Sequence, residues 1–316
     1  MSARPATSTS TPSHLHPGTV VLPAGPHRFE LHPGAPAVMG IVNTNPGSFS
    51  DREHLATTDQ QLEAALGMVA AGAAIIDVGA DSGVTHGQPI DLDTQIARAV
   101  PLVAALVDRG VPVSVDTPSV EVARATLQAG ACLINDVSGL ADTAIAEACA
   151  DHDAALVILH TRVAHKQDGF VDYDDVVADV CALFDERIAL AQDRGLGRER
   201  IVLDPGLGYA KRPEDDLDLL RAYDRIAGYG LAVLTGASRK YVTGVITGAE
   251  PPARLPETLA TVETVRGVPG FVRVHDVDEV ARFLAVRETI AGLRQLPDYD
   301  LADARLRWVP AQDGGG

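Results

Sequence analysis

The feature that most constrains this chain is a rhythm that begins at Ala37. Short apolar runs at residues 37–42, 74–78, 113–115, 133–134, 155–159, 201–203, 232–234 and 271–274 alternate with longer stretches of helical pattern. The helical stretches cover 60–71, 93–108, 120–129, 174–194, 215–226, 257–265 and 277–293, with a shorter one at 142–150. Strand and helix in strict alternation predict βαβ units and a parallel sheet. Hydrophobic residues make up 46% of the chain and aromatics only 4%. The core is therefore mostly Ala, Val, Leu and Ile, which suits a buried parallel sheet under Ala-rich helices. Two β-type runs, 19–22 and 28–31, flank Pro23-Ala24-Gly25-Pro26 and predict a hairpin that plugs the bottom of a barrel. The Ser/Thr/Pro/His-rich residues 1–17 read as a disordered tail without the apolar segment of a signal peptide. Residues 18–295 read as one barrel domain, and 296–316 as a C-terminal tail.

The residues at the C-terminal end of each apolar run decide between sheet types. The runs deliver, in order, Asn43, Asp77 with Gly79-Ala80-Asp81-Ser82, Asp116-Thr117, Asn135-Asp136, His160, Asp204-Pro205-Gly206, Ser238-Arg239-Lys240, and Arg273 with His275-Asp276. A closed (β/α)8 TIM barrel brings all eight ends to one mouth, where active sites lie. An open doubly wound sheet does not. Singly, each Asp or Asn is an ordinary turn former or helix N-cap, and Thr117 and Ser138 fit as caps of the helices after them. Eight polar ends together are harder to read that way.

The mouth would hold carboxylates (Asp116, Asp204), carboxamides (Asn43, Asn135), cations (Lys240, Arg273) and imidazoles (His160, His275). That mixture suits a planar heterocycle edged with N–H donors and carbonyl acceptors. A carboxylate accepts two parallel N–H bonds from an amino-pyrimidine edge, a carboxamide offers one donor and one acceptor, and a lysine brings charge to a carbonyl oxygen. Metalloprotease, NTPase and serine-hydrolase signatures are missing from the sequence. A net charge of −17 argues against nucleic acid or an anionic membrane as partner, and no stretch is long and apolar enough to span a bilayer. Cys132, Cys149 and Cys181 lack metal-ligand spacing and predict reduced thiols in a cytoplasmic protein. Lysine occurs only as Lys166, Lys211 and Lys240, either retained by chance on the surface or kept where a compact ammonium is wanted; Lys240 is the one expected not to accept a guanidinium, and Lys166, in a polar loop, the one expected to tolerate it.

Several segments, in order and at matching spacing, resemble the dihydropteroate synthase family. They are Met39-Gly40-Ile41-Val42-Asn43 with Pro46 and Ser48-Phe49-Ser50-Asp51; Ile75 to Gly79; Ser114 to Thr117 and then Ala131 to Ser138; Leu203 to Tyr209 with Lys211; Ser238-Arg239-Lys240; and Arg273-Val274-His275-Asp276. The resemblance covers about residues 36–290 and implies a transferase. Its substrates would be 6-hydroxymethyl-7,8-dihydropterin diphosphate and p-aminobenzoate, and diphosphate would leave. Asp116, Asn135, Asp204 and Lys240 would hold the pterin ring, with Asp116, Asp204 and Lys240 closest to the chemistry. Arg273, His275 and Asn43 would form the anion site, with Mg2+ at Asn43. Ser238 and Phe49 would border the p-aminobenzoate site. The resemblance also implies a homodimer.

Two loops depart from the family pattern, as does the segment after the fifth run, where Val163-Ala164-His165 stands for Gly-Thr-Pro. Asn45 and Gly47 replace a threonine and an acidic residue in the first loop, while Gly83 and Val84 replace the threonine and arginine of the second. A lost charged hydrogen bond is worth roughly 1.5–3 kcal/mol; Arg52 and His86 are the nearby candidates to compensate. Three functions fit this sequence: dihydropteroate synthase itself, a pterin-dependent paralogue with another acceptor, and a non-catalytic pterin-binding protein.

Overall fold

The computed structural model describes residues 18–44, 57–80, 90–164, 167 and 169–300. The opening hairpin pairs β1 (Val20–Ala24) with β2 (His27–Leu31), antiparallel. Eight parallel strands then close on one another: β3 (Ala37–Asn43), β4 (Ile75–Gly79), β5 (Val113–Asp116), β6 (Leu133–Asp136), β7 (Ala155–Leu159), β8 (Ile201–Asp204), β9 (Ala232–Gly236) and β10 (Gly270–Val274), with β10 hydrogen-bonded back to β3. This is the TIM barrel that the rhythm predicts.

Ten helices are described: α1 (Thr58–Ala71), α2 (Leu92–Val107), α3 (Val120–Gln128), α4 (Ala144–Asp151), α5 (Val176–Asp193), α6 (Pro213–Arg221), α7 (Tyr223–Ala227), α8 (Tyr241–Thr247), α9 (Leu255–Val265) and α10 (Val277–Ile290). Their starts reflect local chemistry. Thr57 and Gln60 form a capping box on α1, while Asp91, Ser119 and Asp175 cap α2, α3 and α5. The expected caps are displaced. Thr117 accepts from Ser119 N–H and Ser138 from Ala141 N–H, so both shape turns before the helix. The helical pattern over 215–226 breaks at Ala222, whose ψ of 22° is not helical, into α6 and α7. Helix α8 has no counterpart among the expected elements.

Period-two alternation in the strands sorts the core. Val113, Val115, Leu156, Ile158, Leu203, Val272 and Val274 pack outward against the helices. Met39, Ile75, Leu133, Ala155, Val157, Val202, Ala232, Leu234 and Phe271 pack inside the barrel with Leu22, Ala24 and Leu31 of the hairpin. The hairpin thus closes the bottom of the barrel with apolar side chains, as expected. Counting by twos up the inner face leads from Met39 to Asn43, Ile75 to Asp77, Leu133 to Asn135, Val202 to Asp204 and Phe271 to Arg273. The same parity that seals the bottom supplies the mouth.

Candidate functional site

Asn43, Gly79, Asp116 and Asn135 are register partners across β3, β4, β5 and β6 and form one tier. Gly79 belongs there because it lacks a side chain: a Cβ at that position would lie 2.5 Å from Asn43 Oδ1. One step deeper on β4 is Asp77, fully buried. Ser114 Oγ donates to Asp77 Oδ1 (2.5 Å), Asn135 Nδ2 to Oδ2 (3.3 Å) and Arg273 Nε to Oδ2 (2.6 Å). Arg273 Nη2 also donates to Asp116 Oδ2 (2.8 Å). Burial works against the charge of Arg273, but Asp77 and Asp116 raise its pKa on balance. Asn135 Oδ1 is buried with no hydrogen-bond partner among the described residues. A buried acceptor left open in a polar site is a place for a ligand donor.

The opposite side of the mouth is built on the loop after β8. Asp204 Oδ1 accepts the N–H of Gly206 (2.7 Å). Gly206 is left-handed (φ +69°), and a Cβ there would fall 2.1 Å from the carbonyl oxygen of His160, so only glycine fits. Burial pushes the Asp204 carboxyl up from its ordinary value, while the Gly206 N–H and then Lys240, Lys211 and Arg273 pull it back. Lys240 Nζ donates to the Leu207 carbonyl (2.6 Å) and stands 5.3 Å from the centre of the Tyr209 ring. Burial lowers the Lys240 ammonium, and Asp204 and Asp216 oppose the shift. Ser238 Oγ and His275 Nδ1 are 2.9 Å apart. Burial, then Arg239, Arg273 and Lys240, push the imidazole down to about 3, so His275 is neutral at pH 7.

The structure therefore brings Asp116, Asn135 and Arg273 into one network, with Asp204 and Lys240 linked through the loop of residues 204–209 and Ser238 paired with His275. Phe49, together with Asn45, Gly47, Arg52, Gly83, Val84, His86, His165 and Lys166, lies outside the described residues. Two expected mouth groups behave otherwise. His160 is fully buried with Nε2 on Asp179 (2.7 Å), and Asp179 also accepts from Arg162. Asp136 accepts from Ser138 and Leu140 N–H and braces the turn after β6. Asp77 is the network's hub, although in the sequence it has no site role beyond the polar group its run delivers; its parity with Ile75 is the signal that finds it. Lys211 is buried and donates to the carbonyls of His160, Gly206 and Tyr209. Burial pushes it down to about 8. Asp216, pushed up to about 6 by burial, accepts the N–H of Gly208. Neither Lys211 nor Asp216 announces this bracing role in the sequence.

The pattern of a family described as pterin binding enzymes matches residues 39–275. The dihydropteroate synthase of Synechocystis is 35% identical over 258 residues, covering 80% of this chain and 89% of that protein. A probable bifunctional folylpolyglutamate synthase/dihydropteroate synthase of Haloferax volcanii is 39% identical over 246 residues; the match covers 77% of this chain but 29% of that protein. Among solved structures, the Yersinia pestis dihydropteroate synthase in a sulfonamide drug complex superimposes with a TM-score of 0.80 at 31% identity, over 87% of this chain and 100% of that one.

Proposed function

The chain belongs to the family of pterin-binding enzymes and, within it, to the dihydropteroate synthases, and from that premise we propose how its mouth performs the transfer. The reaction condenses 6-hydroxymethyl-7,8-dihydropterin diphosphate with p-aminobenzoate and releases diphosphate. The methylene C–O bond breaks with its electron pair on diphosphate. The arylamine lone pair then forms the C–N bond, and the amine loses a proton.

In our reading Asp204, Asn135, Asp116 and Lys240 hold the pterin ring. The Asp204 carboxylate, its Oδ1 steadied by the Gly206 N–H, faces the amino edge. The open Oδ1 of Asn135 takes a ring N–H, and Lys240 turns toward the ring carbonyl. The observation that carries this reading is the buried, unpartnered Asn135 Oδ1 in a mouth that also holds Asp204 and Lys240. Arg273, His275 and Asn43 serve the diphosphate. Arg273 stays charged beside its carboxylates, whereas His275 stays neutral and offers a hydrogen bond without net charge. Charge developing on the leaving group is where a fixed cation contributes most. Ser238, through its contact with His275, lies where this anion site meets the p-aminobenzoate site, and Phe49 completes the latter.

For Mg2+, we assign Asn43, whose side-chain oxygen is a hard neutral donor; among the described residues no cluster of His, Cys, Asp or Glu could hold a metal. Such a site fits an ion that arrives with the diphosphate, since Mg2+ takes most of its oxygens from phosphate and water. When bound it would offset phosphate charge. We further assign a homodimer in the cytoplasm. The exposed apolar side chains of Tyr241, Val245 and Ile246 on α8, with Val286 and Ile290 on α10, support the dimer. The free thiols of Cys132, Cys149 and Cys181 support a reducing compartment.

Turnover with both substrates tests the function. One diphosphate should appear per dihydropteroate formed. Pterin binding without condensation on p-aminobenzoate would point to another acceptor. Light scattering at micromolar concentration should give twice the chain mass.

A further inference from the structure

Ser238-Arg239-Lys240 puts three polar side chains in a row, and the middle one is engaged differently from its neighbours. Arg239 has φ +57°, a left-handed conformation that residues other than glycine keep only where their surroundings impose it. The surroundings are specific. Arg239 N–H donates to Thr258 Oγ1 (3.2 Å) and its carbonyl accepts from Arg254 Nη1 (3.0 Å). Arg254 also donates to the carbonyls of Lys240 (3.2 Å) and Ala249 (2.7 Å). The Arg239 guanidinium donates to Asp276 Oδ1 at 3.0 Å, with only 7% and 8% of the two side chains exposed. Asp276 comes directly after His275.

The connection has a geometric consequence. The loop after β9 carries Ser238, which meets His275 Nδ1, and Lys240, which meets Leu207. The end of β10 carries Arg273 and His275. Arg239 and Asp276 join these two segments directly. A buried ion pair is weak evidence for stability, because desolvation offsets the attraction, so its presence calls for another explanation.

We propose that Arg239 and Asp276 are a positioning pair. They touch neither substrate, and they fix the spacing between Lys240 on the pterin-ring side and His275 on the diphosphate side. The division into ring and diphosphate sides rests on the proposed function; the geometric claim does not.

The test compares R239M, R239K, D276N and the double variant R239M/D276N with the full-length wild type. R239M leaves Asp276 buried without its partner, so its melting temperature should fall. The double variant removes both charges and should regain most of that stability. A purely structural pair predicts that activity returns with stability. A positioning pair predicts that kcat/KM for the pterin diphosphate stays down in the double variant by roughly ten- to a hundredfold, as misplaced groups cost. R239K, which keeps the charge, should retain more activity than R239M. Crystal structures of the double variant and of D276N supply a readout that needs no turnover. The Ser238–His275 and Lys240–Leu207 contacts should open beyond hydrogen-bonding distance. If both contacts persist, or if double-variant kinetics match the wild type, the proposal is overturned. A wild-type enzyme that forms no dihydropteroate would sink the functional reading while the crystal structures still judged the pair. Should R239M alone fail to fold, the double variant and D276N decide.

Discussion

The two sides of the mouth hold their cations by different means. Arg273 lies between the side-chain carboxylates of Asp77 and Asp116. Lys240 and Lys211 are held by backbone carbonyls, those of Leu207 for one and of His160, Gly206 and Tyr209 for the other. A carboxylate on a rotatable side chain can yield an arginine to an incoming anion. A carbonyl inside a glycine-containing loop keeps its place whether or not the lysine stays on it. The difference teaches that one side can rearrange both its carboxylates and its cation, while on the other the acceptors are set before any ligand arrives and only the lysine turns. The chemistry of the cations agrees. A guanidinium fork serves two carboxylates at once, whereas an ammonium gathers carbonyls around a point.

The prebuilt side should be the less forgiving. Asp204→Asn turns an acceptor toward the amino edge into a donor, which should cost roughly 2–5 kcal/mol of pterin affinity and abolish binding in calorimetry while the fold persists. Unchanged affinity in a folded variant would remove Asp204 from ring recognition and dissolve the contrast.

On the adaptable side, Asp77→Ala should lower folding stability by about 3 kcal/mol, the usual consequence of leaving one partner of a buried pair alone. Asp116→Ala should cost less, because the Asp116 side chain is 15% exposed and that of Asp77 is fully buried. Urea midpoints of the two variants check the order. Equal losses would mean that Arg273 is held by the two carboxylates alike.

A pH series separates a brace from a ligand. Burial, then Lys211, push His160 down to about 4 from 6.5, although Asp179 opposes the shift. Between these values the unfolded chain binds the proton and the folded chain does not. Stability is therefore present above pH 6.5 and lost as pH falls, by about 2 kcal/mol at pH 5. Denaturant unfolding at pH 7 and pH 5 should show this loss in the wild type and about 2 kcal/mol less of it in His160→Gln. His275 adds the same slope to both proteins, so the difference isolates His160. Identical slopes would exclude the neutral, buried state of its ring.

The smallest effect expected is on turnover by Lys240→Arg, at about tenfold in kcat/KM. Lys240 lies against Gly236, where even an added Cβ would come within 3.2 Å of Nζ, so a guanidinium lacks room. A fully active variant would make the ammonium interchangeable with a guanidinium and erase the distinction between the two sides.

Much of this arrangement is written in the sequence. The eight apolar runs predict every barrel strand to within a residue or two, because a buried strand leaves a dense local signal. Asp116, Asn135, Asp204 and Lys240, which we propose as the ring set, are legible as mouth residues from strand ends and motif. Asp77 and Asp136 show where position alone misleads. Asp136 looks like a mouth residue because it ends a strand, yet its parity turns it toward the turn after β6. Asp77 lies inside a strand, yet its parity aims it into the network. Helix α8 is illegible for another reason. Its sequence, Tyr-Val-Thr-Gly-Val-Ile-Thr, is rich in β-branched residues and contains a glycine, so local propensity opposes it. Arg254, donating to the Lys240 carbonyl just before it and to the Ala249 carbonyl just after it, supplies distant support that no short window contains. The brace of Lys211 is long-range in the same sense, since one of its acceptors, the His160 carbonyl, is far away in the chain.

The hairpin at the bottom has a kinetic meaning. With Leu22, Ala24 and Leu31 packed against the innermost barrel residues, the bottom is sealed and, among the described residues, the mouth is the opening that remains. A ligand that reaches Asn135 and Asp77 passes the outer positions first, and whatever occupies those positions afterwards bars its return. Filling and emptying then become a queue. For two guests that share the passage, the deep one has to enter before the shallow one, an early arrival of the shallow guest is an unproductive blockade, and a joined product withdraws as a single piece.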